Sequence, residues 1–221
     1  EIIQYFTMLN LGFILQLLLC IGAAVYFQFK ENEILGRNDI KIITHSDVVE
    51  HHLKKYKHLI GDDFDGYRNH IYRVMTYSMH FLHNNETYMD VIGSALVFHD
   101  IGLWTDKTLA YLVPSARLAN DAGKTYSTEE LTLQENIIVN HHKIWPFKGE
   151  NGAVVEAVRK ADWIDATNGM LNKGMPWKHI QTVKDAIPAA GFYNTLAEIG
   201  PRYHGNNFKK IFSEIITIYR W

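Results

Sequence analysis

Residues 92–102 read IGSALVFHDIG, an uncharged and largely apolar run that stops on His99 and Asp100 just before Gly102. The wider segment 88–98 reads as a buried helix, and Gly102 as a signal that it has ended. Adjacent side chains on a regular helix point about 100° apart, so they do not share a face. At a helix end, where the backbone leaves the spiral, an imidazole and a carboxylate can converge on one ion. That donor pair suits zinc, iron, manganese or nickel. Alone the dipeptide is weak, since a histidine that ends a helix beside an aspartate has the same two letters.

Outward from this stretch, helix follows helix. Upstream, 48–60 is amphipathic with Lys54, Lys55 and Lys57 on its polar face, and 70–82 (HIYRVMTYSMHFL) places Ile71, Val74, Met75, Met79 and Leu82 near the helical period. Downstream, 108–122 ends at Gly123. Ser127, with Glu130 three residues on, meets the capping-box pattern for a helix that runs to Asn140 and is closed by His141, His142 and Pro146. Another helix spans 152–168 with Gly169 after it. A region punctuated by glycine and proline, 174–205, precedes a last helix over 207–219. No run combines alternation, β-branched residues and turn signals as a sheet requires. The expected fold class is all-α.

The composition fits a folded chain: 221 residues, 47% hydrophobic and 21% charged. With 22 basic and 24 acidic residues the net charge is -2, so no strong field recruits nucleic acid and no nucleic-acid binding is expected. Twelve histidines (His 12) stand against a single cysteine (Cys 1), which excludes an intrachain disulfide framework and a thiolate metal cage. A metal in this chain is held by imidazole and carboxylate. From Ile2 to Phe29 there is no charge, and 11–27 (LGFILQLLLCIGAAVYF) is nearly continuous hydrocarbon. A helix of about 20 apolar residues crosses the roughly 30 Å hydrocarbon core of a bilayer. Tyr5, Phe6, Tyr26, Phe27 and Phe29 fall where an interfacial belt would lie. The expected organisation is therefore a transmembrane anchor over 1–29, a connector over 30–46, a metal-binding helical domain over 47–168 and a helical extension over 169–221 packed on that domain. Lys30, Arg37, Lys41, Lys54, Lys55 and Lys57 all follow the anchor, and the positive-inside bias then places the helical domain of a single-pass protein in the cytoplasm. Membrane lipid is an expected partner, as are membrane proteins reached through the N-terminal helix.

The His-Asp pair has companions. His70, with Arg73 one turn on, precedes it, and Asp162 follows in VRKADWIDAT (158–167). In this order, from three separate helices, the chain resembles the HD-domain superfamily of metal-dependent phosphohydrolases. The matching residues are His70 with Arg73-Val74, then His99-Asp100-Ile101-Gly102, then Asp162 preceded by Lys160-Ala161. They cover roughly 47–168. The resemblance implies an HD-type helical bundle in which His70, His99, Asp100 and Asp162 bind a divalent transition metal (Fe, Mn, Zn, Ni or Co). Between these landmarks ENIIVNHHKIWPF (135–147) carries His141 and His142. Several branches, among them the HD-GYP phosphodiesterases and the mixed-valent di-iron oxygenases, have extra histidines there that bind a second metal. His141-His142-Lys143 looks like the HHE of the HD-GYP branch, but Trp145-Pro146-Phe147 stands in place of the GYP element, and 111–119 (YLVPSARLA) lacks the further histidine of multinuclear members. A second metal, substrate contact and a surface turn all remain open for His141 and His142.

What the resemblance implies for chemistry is hydrolysis of a nucleotide or another small phosphoester. Asp100 would bridge ion and water and orient the water or accept its proton. Arg73 and Lys143 would neutralise charge gathering on phosphorus. Lys107 and Arg117 read instead as solvated charges. Asp165, one turn after Asp162, either orients a ligand histidine or lies on the helix surface. His45, His51, His52, His58, His80, His83, His179 and His204 read as ordinary structural or surface histidines. Two other functions fit the same residues: an HD-type di-iron oxygenase, as in myo-inositol oxygenase, and a non-catalytic HD-fold accessory subunit of a membrane complex.

Overall fold

Every residue from 70 to 80 is buried in the computed structural model, which describes residues 39–123 and 126–219. The helix that carries them, α2 (Phe64–Phe81), is the centre around which the other helices lie. In chain order these are α1 (Asp47–Ile60), α2, α3 (Met89–Phe98), the short α4 (Gly102–Thr105), α5 (Leu112–Ala122), α6 (Thr128–Asn140), α7 (Gly152–Ala166), α8 (Trp177–Ala186), α9 (Phe192–His204) and α10 (Phe208–Tyr219). Single 3-10 turns occupy Gly61–Asp63 and Glu86–Tyr88. The described residues are helical, with no strand among them.

Local chemistry sets the helix ends. Ser46 caps α1, with Asp47 and Glu50 in the first turn and Lys57 and His58 in the last, complementing the helix dipole at both ends. Ser127 and Glu130 form the reciprocal capping box at the start of α6. The glycine- and proline-punctuated region folds into two helices. Pro176 stands at the N-cap of α8, and Gly191 and Gly205 bracket α9, so these residues mark boundaries. Pro201, inside α9, removes one backbone hydrogen bond without ending the helix.

The long faces pack α2 on α7, α3 on α6 and α1, and α6 on α5 and α7. Polar residues of α2 find partners on several sides. Thr76 Oγ1 accepts from Ile43 N at 3.1 Å, Tyr72 Oη donates to Glu50 at 2.5 Å, and Ser78 Oγ donates to the Val74 carbonyl at 2.7 Å. The segment before α1 thus lies against α2 through Ile43. From the C-terminal third, α9 reaches the N-terminal half of α2. A Cβ at Gly66 would lie 2.9 Å from both Ala190 O and Phe192 N, so only glycine allows that approach. Trp104, Thr195 and Arg202 all donate to Asp63, fixing α9 beside the start of α2.

No described helix is long and apolar enough to cross a membrane. The expected anchor over 1–29, and the connector as far as residue 38, lie outside the described residues.

Candidate metal centre

The His-Asp stretch ends α3 with a tightened turn. Ile101 N bonds Phe98 O at 3.2 Å and Leu103 N bonds Asp100 O at 2.9 Å, each reaching three residues back. This winding swings His99 and Asp100 toward the same side, and their Nε2 and Oδ2 lie 3.3 Å apart. Tyr67 secures the turn: its hydroxyl donates to the Val97 carbonyl at 2.9 Å and accepts from Asp100 N at 3.4 Å, with its ring stacked over His99.

Four segments contribute to the centre: α2 gives His70, the turn after α3 gives His99 and Asp100, the end of α6 gives His141 and His142, and α7 gives Asp162. All are buried except His142, which is 13% exposed. Each of the first three rings has its outer nitrogen committed. His99 Nδ1 donates to the Leu96 carbonyl at 2.6 Å, His141 Nδ1 to the Ile138 carbonyl at 2.7 Å, and His70 Nδ1 to Asp165 Oδ2 at 2.7 Å. Their Nε2 atoms consequently face one another across the centre.

The two carboxylates divide their oxygens between two pairs of rings. Asp100 Oδ2 lies 3.7 Å from His70 Nε2 and 3.3 Å from His99 Nε2, while its Oδ1 lies 3.3 Å from His141 Nε2 and 3.9 Å from His142 Nε2. Asp162 Oδ1 lies 3.4 Å from His70 Nε2 and 3.7 Å from His99 Nε2, while its Oδ2 lies 3.4 Å from His142 Nδ1. Asp100 Oδ1, His141 Nε2 and both Asp162 oxygens are buried without a hydrogen-bond partner. Leaving one such group unpaired costs about 1–3 kcal/mol, more when it is charged. Buried donors this close that face a common point without bonding fit a cation. Among the described residues, three groups could hold a metal ion: His70, His99 and Asp162; His99, Asp100 and His141; His141, His142 and Asp162.

Electrostatics agree with that fit. Burial alone would raise Asp100 and Asp162, but the imidazoles around them hold Asp100 well below the carboxylate range and Asp162 at about 2. Burial holds His99 down to about 4, and burial with the neighbouring His141 holds His142 to about 3. His70 goes the other way. Burial opposes its charge, yet Asp162 and Asp165 outweigh it and lift His70 to about 9. A proton on His70 Nε2 then donates to His99 Nε2 at 3.0 Å.

Behind His70 lies a buried relay. Asp165, one turn from Asp162, accepts from His70 and also takes Arg73 Nε at 2.6 Å and Arg73 Nη2 at 2.8 Å. Arg73 Nη1 donates to the Pro188 carbonyl at 3.1 Å. All these bonds of Arg73 go to protein groups behind the ligand, which is a different place from the phosphoryl position expected of it. Lys143 is half-buried and its pKa is lowered by burial; its carbonyl accepts from Arg159 at 3.1 Å. Arg117 is exposed and paired with Asp106 at 3.1 Å, and Lys107 is exposed.

Three further residues shape the centre without a motif to announce them: Tyr67, Tyr111 and Phe192. The Phe192 ring stacks on His70 at 4.1 Å and 11°. The Tyr111 hydroxyl lies 2.5 Å from His142 Nε2. A tyrosine or phenylalanine in an apolar helical chain looks like core, and 111–119 stands out only for the histidine it lacks. Comparison with protein-family models, curated proteins and solved structures finds no match.

Proposed function

We propose that this chain is a metal-dependent hydrolase of the HD type acting on a small phosphoester. The observation that carries the reading is the convergence of buried, unpartnered oxygens of Asp100 and Asp162 with the Nε2 atoms of His70, His99 and His141. His70, His99, Asp162 Oδ1 and Asp100 Oδ2 would hold one divalent ion; His141, His142, Asp100 Oδ1 and Asp162 Oδ2 would hold a second. Such ions lower the pKa of a bound water and polarise a phosphoryl oxygen. Asp165 keeps His70 turned so that Nε2 faces inward. Asp100, its backbone fixed by Tyr67, would orient that water. Lys143, beside His142, is the basic side chain on hand to meet substrate charge.

The test is purified protein assayed for bound metal and against a panel of phosphoesters, with Asp100→Ala beside it. Stoichiometric divalent metal with hydrolysis lost in the variant supports the reading; a protein that binds no divalent metal sinks it. The four imidazoles and two shared carboxylates also favour a second reading, an HD-type di-iron oxygenase, which two irons per chain would bring to the front. Anchoring through 1–29 with the domain on the cytoplasmic side belongs to the same proposal, and protease protection on sealed vesicles tests it.

A further inference from the structure

An imidazole that binds a metal through one nitrogen carries its proton on the other, and that proton needs a partner to fix the tautomer. His99 and His141 find theirs in a carbonyl three residues back, and His70 finds Asp165. His142 differs. Its Nε2 lies 2.5 Å from the Tyr111 hydroxyl, and its Nδ1 faces Asp162 Oδ2 at 3.4 Å. That carboxylate oxygen receives no hydrogen bond, so no acceptor there holds a proton on Nδ1. In the arrangement where His142 Nε2–H donates to the phenolic oxygen, Nδ1 is bare toward the centre.

Tyr111 is brought there by Gly102, the last residue of the stretch 92–102. A Cβ at Gly102 would lie 2.7 Å from Tyr111 O and 3.1 Å from Tyr111 Cβ, and Gly102 N donates to Ser115 Oγ at 3.0 Å. The turn that presents His99 and Asp100 is therefore packed directly on the residue that meets His142.

We infer that Tyr111 is a positioning residue that accepts the Nε2 proton of His142 and so presents His142 Nδ1, beside Asp162 Oδ2, as a donor to the second metal position. This rests on the metal reading above, and a measurement on the metal-free chain separates the two. With 15N-labelled histidine, long-range proton–nitrogen correlation reads the tautomer of each ring. His142 is expected as the Nε2–H form, and Tyr111→Phe is expected to shift it toward Nδ1–H. In a cobalt titration the wild type takes two equivalents, and Tyr111→Phe holds the second at least about tenfold more weakly with the first unchanged. Gly102→Ala, which displaces Tyr111 without removing its hydroxyl, should reproduce the tautomer shift. A wild-type His142 protonated on Nδ1, a tautomer untouched by Tyr111→Phe, or full affinity for both ions in that variant each overturns the inference. The expected tautomers with no cobalt bound by the wild type would leave the Tyr111–His142 bond standing and remove the metal reading.

Discussion

Arg73 and Asp165 show how far a residue's role depends on what it faces. The guanidinium and carboxylate are both buried and joined by two bonds, and Asp165 also holds His70. Breaking a buried pair strands a charge in the interior, at a cost of about 3–5 kcal/mol. Arg73→Ala should therefore lower stability to urea by roughly that amount, with any loss of activity following from a misoriented His70. An Arg73→Ala protein of undiminished stability but weakened substrate binding would restore the phosphate-binding role read from the motif. The motif names the residue but not its direction: one turn after His70 on a helix says nothing of whether the side chain points into the centre or behind it. Asp165 was equally open, and its place was decided by α7 packing along α2, which a linear pattern does not state.

Helices were readable where a cap or a break in chemistry marks them. Ser127 with Glu130 gave the start of α6, Gly123 the end of α5, and the apolar run before His99 gave α3. Less readable was α2, whose apolar period suggests one buried face. The helix is instead enclosed over 70–80, because Thr76, Tyr72 and Ser78 satisfy their polar atoms internally and no longer need water. The same blindness hid α8 and α9. Glycine and proline there cap and bracket two helices of the expected helical extension, whose individual bounds their density along the sequence does not resolve. The contribution of Phe192 to the wall of the centre was hidden with them, since nothing in the sequence ties residue 192 to residue 70.

Across the whole molecule, buried histidines give the metal-free chain a stability optimum near neutrality. His52 and His99 fall to about 4 and His142 to about 3, each chiefly through burial, from an ordinary 6.5. In that window the unfolded rings take protons that the folded rings refuse, so acidification from about 6.5 toward about 4 destabilises the fold. Asp165, held low by His70 and Arg73 against the pull of burial, adds a further loss as pH falls below 3.8. His70, raised to about 9, contributes stability that is full below 6.5 and lost as pH climbs through 9. Urea midpoints of chelator-treated protein should therefore peak between about pH 6 and 8; a midpoint that rises steadily on acidification would contradict the assignment.

The enclosure of the centre has a consequence in time. Its donors come from residues 70, 99–100, 141–142 and 162, and five of those six side chains are buried. No short fragment of the chain can assemble them, and a chelator has little surface by which to seize an enclosed ion. On the metal reading proposed above, departure of an ion and entry of a phosphoester would both wait on local opening of the centre, and the half-life of the loaded protein would be a property of that opening more than of affinity. Raising the chelator concentration should speed removal only to a plateau, and that plateau should climb with urea. A rate that grows without limit in proportion to chelator would mean the ion is reached directly. Where the plateau holds, the metal acquired as the chain first closes is the metal the protein keeps, and selectivity belongs to the moment of folding.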